Sequence, residues 1–170
     1  MLALLLAATP TFGDGFEKPT VDGAYYRYAA GTQLGPWTVT RGDVNVASTS
    51  YWQVSEGRQN LGLDGAVAAT FATEPLLTYR ISWDLAGDPT APPTVKTGEL
   101  RVNDKVIQAM SFDTTGRTAA TMGYLRRAAY VLAKGPSFRV EFAGAGTVID
   151  DVRVDACLLI ICPKGVSPAA

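Results

Sequence analysis

A chain of 170 residues, 47 % of them hydrophobic, has room for one domain with a real core and is too apolar to be disordered. The formal net charge of -1 supplies no electrostatic attraction for nucleic acid or for an anionic membrane surface. Histidine is absent, which excludes Ser-His-Asp and Cys-His catalysis, histidine-bound zinc and histidine pH switching.

In chain order, the opening Met-Leu-Ala-Leu-Leu-Leu-Ala-Ala-Thr-Pro matches the apolar core and small-residue exit of a secretory signal without its basic n-region; a first strand is the alternative. Residues 1–12 are therefore assigned to a leader, 13–156 to one domain and 157–170 to a C-terminal tail, of which Pro163 to Ala170 reads as disordered. Phe16 is expected in the core and Glu17 at the start of the first strand. Tyr25, Tyr26 and Tyr28 form an aromatic cluster, and Trp37 and Trp83 read as core because a tryptophan embedded in a strand is usually buried. Arg41-Gly42-Asp43 spells an adhesion tripeptide, which a polar turn between two strands explains equally well. Val44 and Val46 then alternate with Asp43 and Asn45.

Tyr51-Trp52 falls between Ser-Thr-Ser and Gln-Val-Ser-Glu, where a loop position for Trp52 competes with a core position. Asp64-Gly65 reads as a hairpin turn. Tyr79, Ile81, Trp83 and Leu85 share one parity of a strand, and Gly87-Asp88-Pro89 with Pro92-Pro93 makes a loop no helix can cross. Leu100 and Val102 mark a further strand, closed by Asn103-Asp104. Between Thr118 and Ala133 propensity allows a helix, while weak alternation favours a strand over residues 126–133. After Gly135-Pro136, the residues Phe138, Val140 and Phe142 alternate with Ser137, Arg139 and Glu141. Short alternating strands joined by 17 glycines and 10 prolines predict an all-β sandwich. Cys157 and Cys162 either close a small disulfide loop or remain two reduced residues, and the apolar run from Ala156 is too short to span a bilayer.

If Val152 and Val154 face the core, alternation turns Asp150 inward with them. A buried carboxylate should be paired, protonated or metal-bound, and Arg153 points to the other face. Calcium, which takes six to eight oxygens, is one candidate; a distant cation or a set of loop amides is the other.

Several segments taken together resemble a known family. They are Phe16-Glu17-Lys18-Pro19, Trp37-Thr38-Val39, Trp52 through Asp64-Gly65, Phe71-Ala72-Thr73-Glu74-Pro75, Tyr79, Leu85-Ala86-Gly87-Asp88-Pro89 and Ile149-Asp150-Asp151-Val152. In this order they are similar to the plant cell-wall family called domain of unknown function 642 and to the bacterial choice-of-anchor C proteins. The chain departs from that pattern at Gly62-Leu63-Asp64-Gly65, at Thr147-Val148 and at Tyr124, where the family usually has Asp-Leu-x-Gly, a proline and a tryptophan. The resemblance implies a jelly-roll β-sandwich, galactose-binding-domain-like, exported from the cell and related to carbohydrate-binding modules. It also implies a structural Ca2+ between Glu17 and Asp150, with Asp151 as substitute and Glu56 as a third ligand.

The resulting expectation is a secreted, non-catalytic module that binds polysaccharide or a cell-wall component, inserts in no membrane and uses Trp52, Tyr51 and Tyr26 as sugar-stacking faces. A secreted protein-interaction or structural module without sugar binding is the alternative. A glycosidase would need two carboxyls roughly 5 to 10 Å apart in a cleft, and no spacing in the sequence indicates such a pair.

Overall fold

The computed structural model describes residues 12–157, and every regular element in that span is a strand. The strands are β1 (Phe12–Asp14), β2 (Tyr25–Ala29), β3 (Gln33–Leu34), β4 (Trp37–Ser48), β5 (Gln59–Ala72), β6 (Thr78–Gly87), β7 (Val95–Val102), β8 (Lys105–Asp113), β9 (Leu125–Leu132), β10 (Ser137–Ala145) and β11 (Thr147–Cys157). Of the stretch that propensity left open to a helix, Leu125–Leu132 is strand β9, because its neighbour β6 supplies an eight-residue antiparallel ladder from Thr78↔Leu132 to Leu85↔Leu125. Tertiary pairing overrides propensity there.

The strands run in the order β8-β7-β10-β5-β11-β6-β9, with β4 carrying β2 and β3 alongside β5, and β1 alongside β11. One long strand joins the two layers. Residues 66–72 of β5 pair with β10, and residues 61–63 pair with β11. The layers meet through aromatic contacts: Trp83 of β6 lies 5.3 Å from Phe142 of β10, and Tyr79 lies 5.4 Å from Phe138. Trp37, Phe71 and Phe142 extend the same cluster, so Trp37 and Trp83 are core, as the sequence reading has them.

Asp64-Gly65 is a correction. The dipeptide lies inside β5 and turns nothing. Opposite it, β4 carries a bulge between Val39 and Arg41, and Gly42 has a φ of +60°. A Cβ on Gly65 would come 2.1 Å from the Arg41 carbonyl oxygen, so this glycine answers a close backbone approach. Arg41-Gly42-Asp43 sits at that bulge, within a strand, and both its charges are tied up: Arg41 pairs with Glu141 and Asp43 with Arg27. The turn at Asn103-Asp104 does form, with both residues at positive φ, as a two-residue hairpin between β7 and β8.

Cys157 ends β11 in a disulfide. Its expected partner Cys162 lies outside the described residues, as do the proposed leader up to residue 11 and the rest of the tail.

Candidate functional site

The segments joining β4 to β5 (49–58) and β8 to β9 (114–124) come together around one residue, Gln53. Its backbone N–H donates to the Ala119 carbonyl (2.7 Å), and its side-chain Oε1 accepts from the Met122 N–H (2.8 Å). Its carbonyl accepts from Asn60 Nδ2 (3.1 Å) and from the Tyr124 hydroxyl (3.0 Å). A residue in an irregular segment thus has both its backbone groups and its side-chain oxygen satisfied, which fixes the two loops against each other.

Trp52 is the second anchor, and here the sequence expectation of a sugar-stacking face needs correction. Its ring is buried at 3 % exposure over the bare face of Gly62, where a Cβ would come 2.9 Å from Cζ3. Only a glycine on β5 admits a flat ring this close, so Trp52 is the floor of the loop end. Tyr51 stacks on Trp52 at 4.8 Å between centroids, and Tyr25 stacks on Tyr51 at 4.7 Å. This ladder runs from core to solvent: Trp52 is buried, Tyr51 half-buried and Tyr25 exposed. Tyr26 points the other way from the edge strand β2. It pairs with Tyr28 at 4.8 Å and stays apart from the ladder.

Against Tyr51 lies a cavity of about 490 Å³, lined by Thr49, Ser50, Tyr51, Gln53, Val54, Ala119 and Ala120. One aromatic wall, a small apolar floor and several hydroxyl and amide groups suit a neutral polar ring. Burial, then the negative charge of Asp88, hold the Tyr51 phenol above its ordinary range, so it stays a neutral donor and acceptor. Neither Gln53 nor the 119–120 wall was legible as part of a site. Both come from segments far apart in sequence, and only the fold brings them to Tyr51.

A second groove of about 490 Å³ crosses β4, β5, β7 and β10 between Arg41, Asp64, Thr97 and Glu99, over a floor of glycine and alanine. It has no aromatic wall.

The four carboxylates expected to hold calcium gather near the loop end, with a different chemistry. Asp150 is fully buried; its Oδ2 accepts from the Ser55 (2.8 Å) and Glu56 (3.0 Å) amides and its Oδ1 from the Asp151 amide (2.7 Å). Glu17, which follows β1 in the turn instead of opening a strand, accepts the Arg58 and Gln59 amides on one oxygen (2.7 and 3.0 Å). Asp151 is held by Arg153 and Arg126. Glu56 lies against Gly15 and is exposed, and partial burial with the charges of Asp151, Glu17 and Asp14 raises its carboxyl above the usual range. Among the described residues no three acid, cysteine or histidine side chains are grouped so as to hold a metal. Both oxygens of Asp150 and one of Glu17 already serve as acceptors for loop amides, so these two carboxylates have partners other than an ion. Burial outweighs those amides and pushes the Asp150 carboxyl up to about 7.

No family model matches the chain, and no curated protein matches it. Solved structures do share its fold. The CBM22-1 xylan-binding domain of Xyn10C from Paenibacillus barcinonensis is 16 % identical with a TM-score of 0.55, covering 88 % of this chain and 96 % of that one. A family 35 carbohydrate-binding module from Clostridium thermocellum is 11 % identical with a TM-score of 0.50, covering 85 % and 97 %. The K2 cleaved adhesin domain of Lys-gingipain is 12 % identical with a TM-score of 0.51, covering 85 % and 99 %. The fold is the jelly-roll β-sandwich that the sequence reading expected.

Proposed function

We propose that this chain is a non-catalytic, extracellular carbohydrate-binding module whose sugar site is the Tyr51 cavity. The observation that carries the reading is the ladder from Trp52 to Tyr25. It holds one ring of Tyr51 rigidly at the wall of a cavity that also offers Gln53, Ser50 and Thr49 as hydrogen-bonding groups. A pre-positioned aromatic ring loses little freedom on binding, which favours a weakly hydrophobic sugar face. The xylan-binding and family 35 neighbours support a polysaccharide as ligand, and the Cys157 disulfide supports an oxidising compartment. No helix among the described residues is long and apolar enough to cross a membrane.

The test is retardation of the purified protein in gels containing xylan, mannan, pectin or β-glucan. One of these polysaccharides should retard the wild type, and Tyr51→Ala should weaken that retardation at least ~10-fold, about 1.4 kcal/mol. Equal retardation of both proteins, or none by any polysaccharide, contradicts the reading.

A second reading has its own support. Leu76, Tyr130 and Leu132 are exposed along and beside the edge strand β9, where a protein-interaction module would carry its contact surface. The adhesin neighbour shares the fold on which that surface would be built.

A further inference from the structure

The strand path ends at β8 on one side and β9 on the other, and these two edges do not pair. Between them lies a cavity of about 230 Å³, lined by Leu85 of β6, by Gln108, Ala109, Met110 and Ser111 of β8, and by Arg127 of β9. Arg127 is the only charged group in that lining. It is half-buried and, among the described residues, its guanidinium has no ion-pair or hydrogen-bond partner. The other half-buried arginines all differ: Arg80 pairs with Asp155, Arg101 with Glu99, Arg139 with Glu141 and Arg153 with Asp151. Neither Gln108 nor Ser111 engages its side chain with another described residue, so further donors line the same space. Trp83, the register partner of Arg127 on β6, buries an indole Nε1 that has no hydrogen-bond acceptor among the described residues.

A guanidinium partly removed from water and left without a counter-ion is unfavourable, whereas one facing a carboxylate forms a two-pronged, charge-assisted contact. We infer that the seam between β8 and β9 is a binding site for a small carboxylate, held by Arg127 and assisted by Gln108 and Ser111. The cavity is the size of a single acidic group or one acidic sugar ring, not of a chain. The site is separate from the Tyr51 cavity, with which it shares no lining residue.

The test is a titration of ¹⁵N-labelled full-length protein followed by NMR, reading the Arg127 Nε–Hε signal. Sodium acetate tests the bare carboxylate, and D-glucuronate with D-glucose as the neutral control tests the sugar acid. Acetate, glucuronate or both should shift the Arg127 signal saturably, while glucose and sodium chloride should not. Arg127→Gln should weaken the binding ~10- to 100-fold, as expected for loss of hydrogen bonds to a charged group, and Arg127→Lys by a smaller factor. Saturable binding of acetate alone assigns the site to the carboxylate, and tighter glucuronate binding assigns it to a sugar acid. An Arg127 signal that moves linearly with ionic strength, or carboxylate binding that persists in Arg127→Gln, overturns the inference. Because the readout in the wild type is direct, the result stands even if a variant fails to fold. Polysaccharide retardation by Tyr51→Ala reports on the other site, so each reading can fail without the other.

Discussion

The loop end and the seam treat buried charge in opposite ways. At the loop end, Asp150 and Glu17 enter the protein and are met by five backbone amides from residues 55 to 59 and 151. At the seam, Arg127 lines the cavity and meets no ion-pair or hydrogen-bond partner among the described residues. The first arrangement converts charge into a fixed loop; the second leaves a charge for a solute. The difference follows from closure. Loops folded over a sheet can turn their amides inward, whereas two unpaired strand edges have no such groups to spare on the cavity side.

The largest effect should come from removing the floor of the closed region. Trp52→Ala deletes a buried ring packed on Gly62 and should lower the unfolding free energy by about 3–5 kcal/mol, read as a lower denaturant midpoint with an unchanged slope. A loss below about 1 kcal/mol would mean that Trp52 is a surface residue after all.

Next comes the carboxylate that pins the loop. Asp150→Asn puts an amide N–H where a backbone N–H must be accepted and should cost about 1–3 kcal/mol. The carboxyl sits at about 7 in the folded protein against 3.8 unfolded, so between those values the folded state holds a proton that the unfolded state lacks. Its contribution is therefore complete below about pH 4 and declines as pH rises towards 7, by up to about 1.4 kcal/mol per pH unit. The Asn variant should flatten that slope. Chelator should leave the wild-type thermal midpoint in place, since Asp150 and Glu17 accept loop amides and Asp151 is paired with arginines; a fall reversed by added calcium would restore the ion to the account.

The smallest effect belongs to the seam. Arg127→Gln breaks no ion pair or hydrogen bond among the described residues and should change stability by no more than about 0.5 kcal/mol. The matched control, Arg80→Gln, strands the buried Asp155 carboxylate and should cost several times more. Equal losses at the two positions would erase the distinction between the two regions.

The sandwich was legible because strand alternation is local: Tyr79 to Leu85 and Phe138 to Phe142 show their faces in a handful of residues each. Asp150 was legible as buried for the same reason. Its partners were not, because the amides of Ser55 and Glu56 lie 95 and 94 residues away. Trp52 was misassigned on a similar ground. What buries it is Gly62 on the next strand, and a polar local sequence says nothing of a cross-strand glycine. Asp64-Gly65 misled in the opposite sense: its glycine answers the bulge at Arg41 and makes no turn. The Tyr51 cavity was half legible, by its tyrosine and not by its opposite wall.

Chemical-shift mapping with oligosaccharides of the polysaccharide that retards the protein tests the central claim most directly. The account predicts saturable shifts clustered at Ser50, Tyr51, Gln53, Ala119 and Ala120, and absent in Tyr51→Ala. Shifts confined instead to the groove at Arg41, Asp64, Thr97 and Glu99 would contradict it.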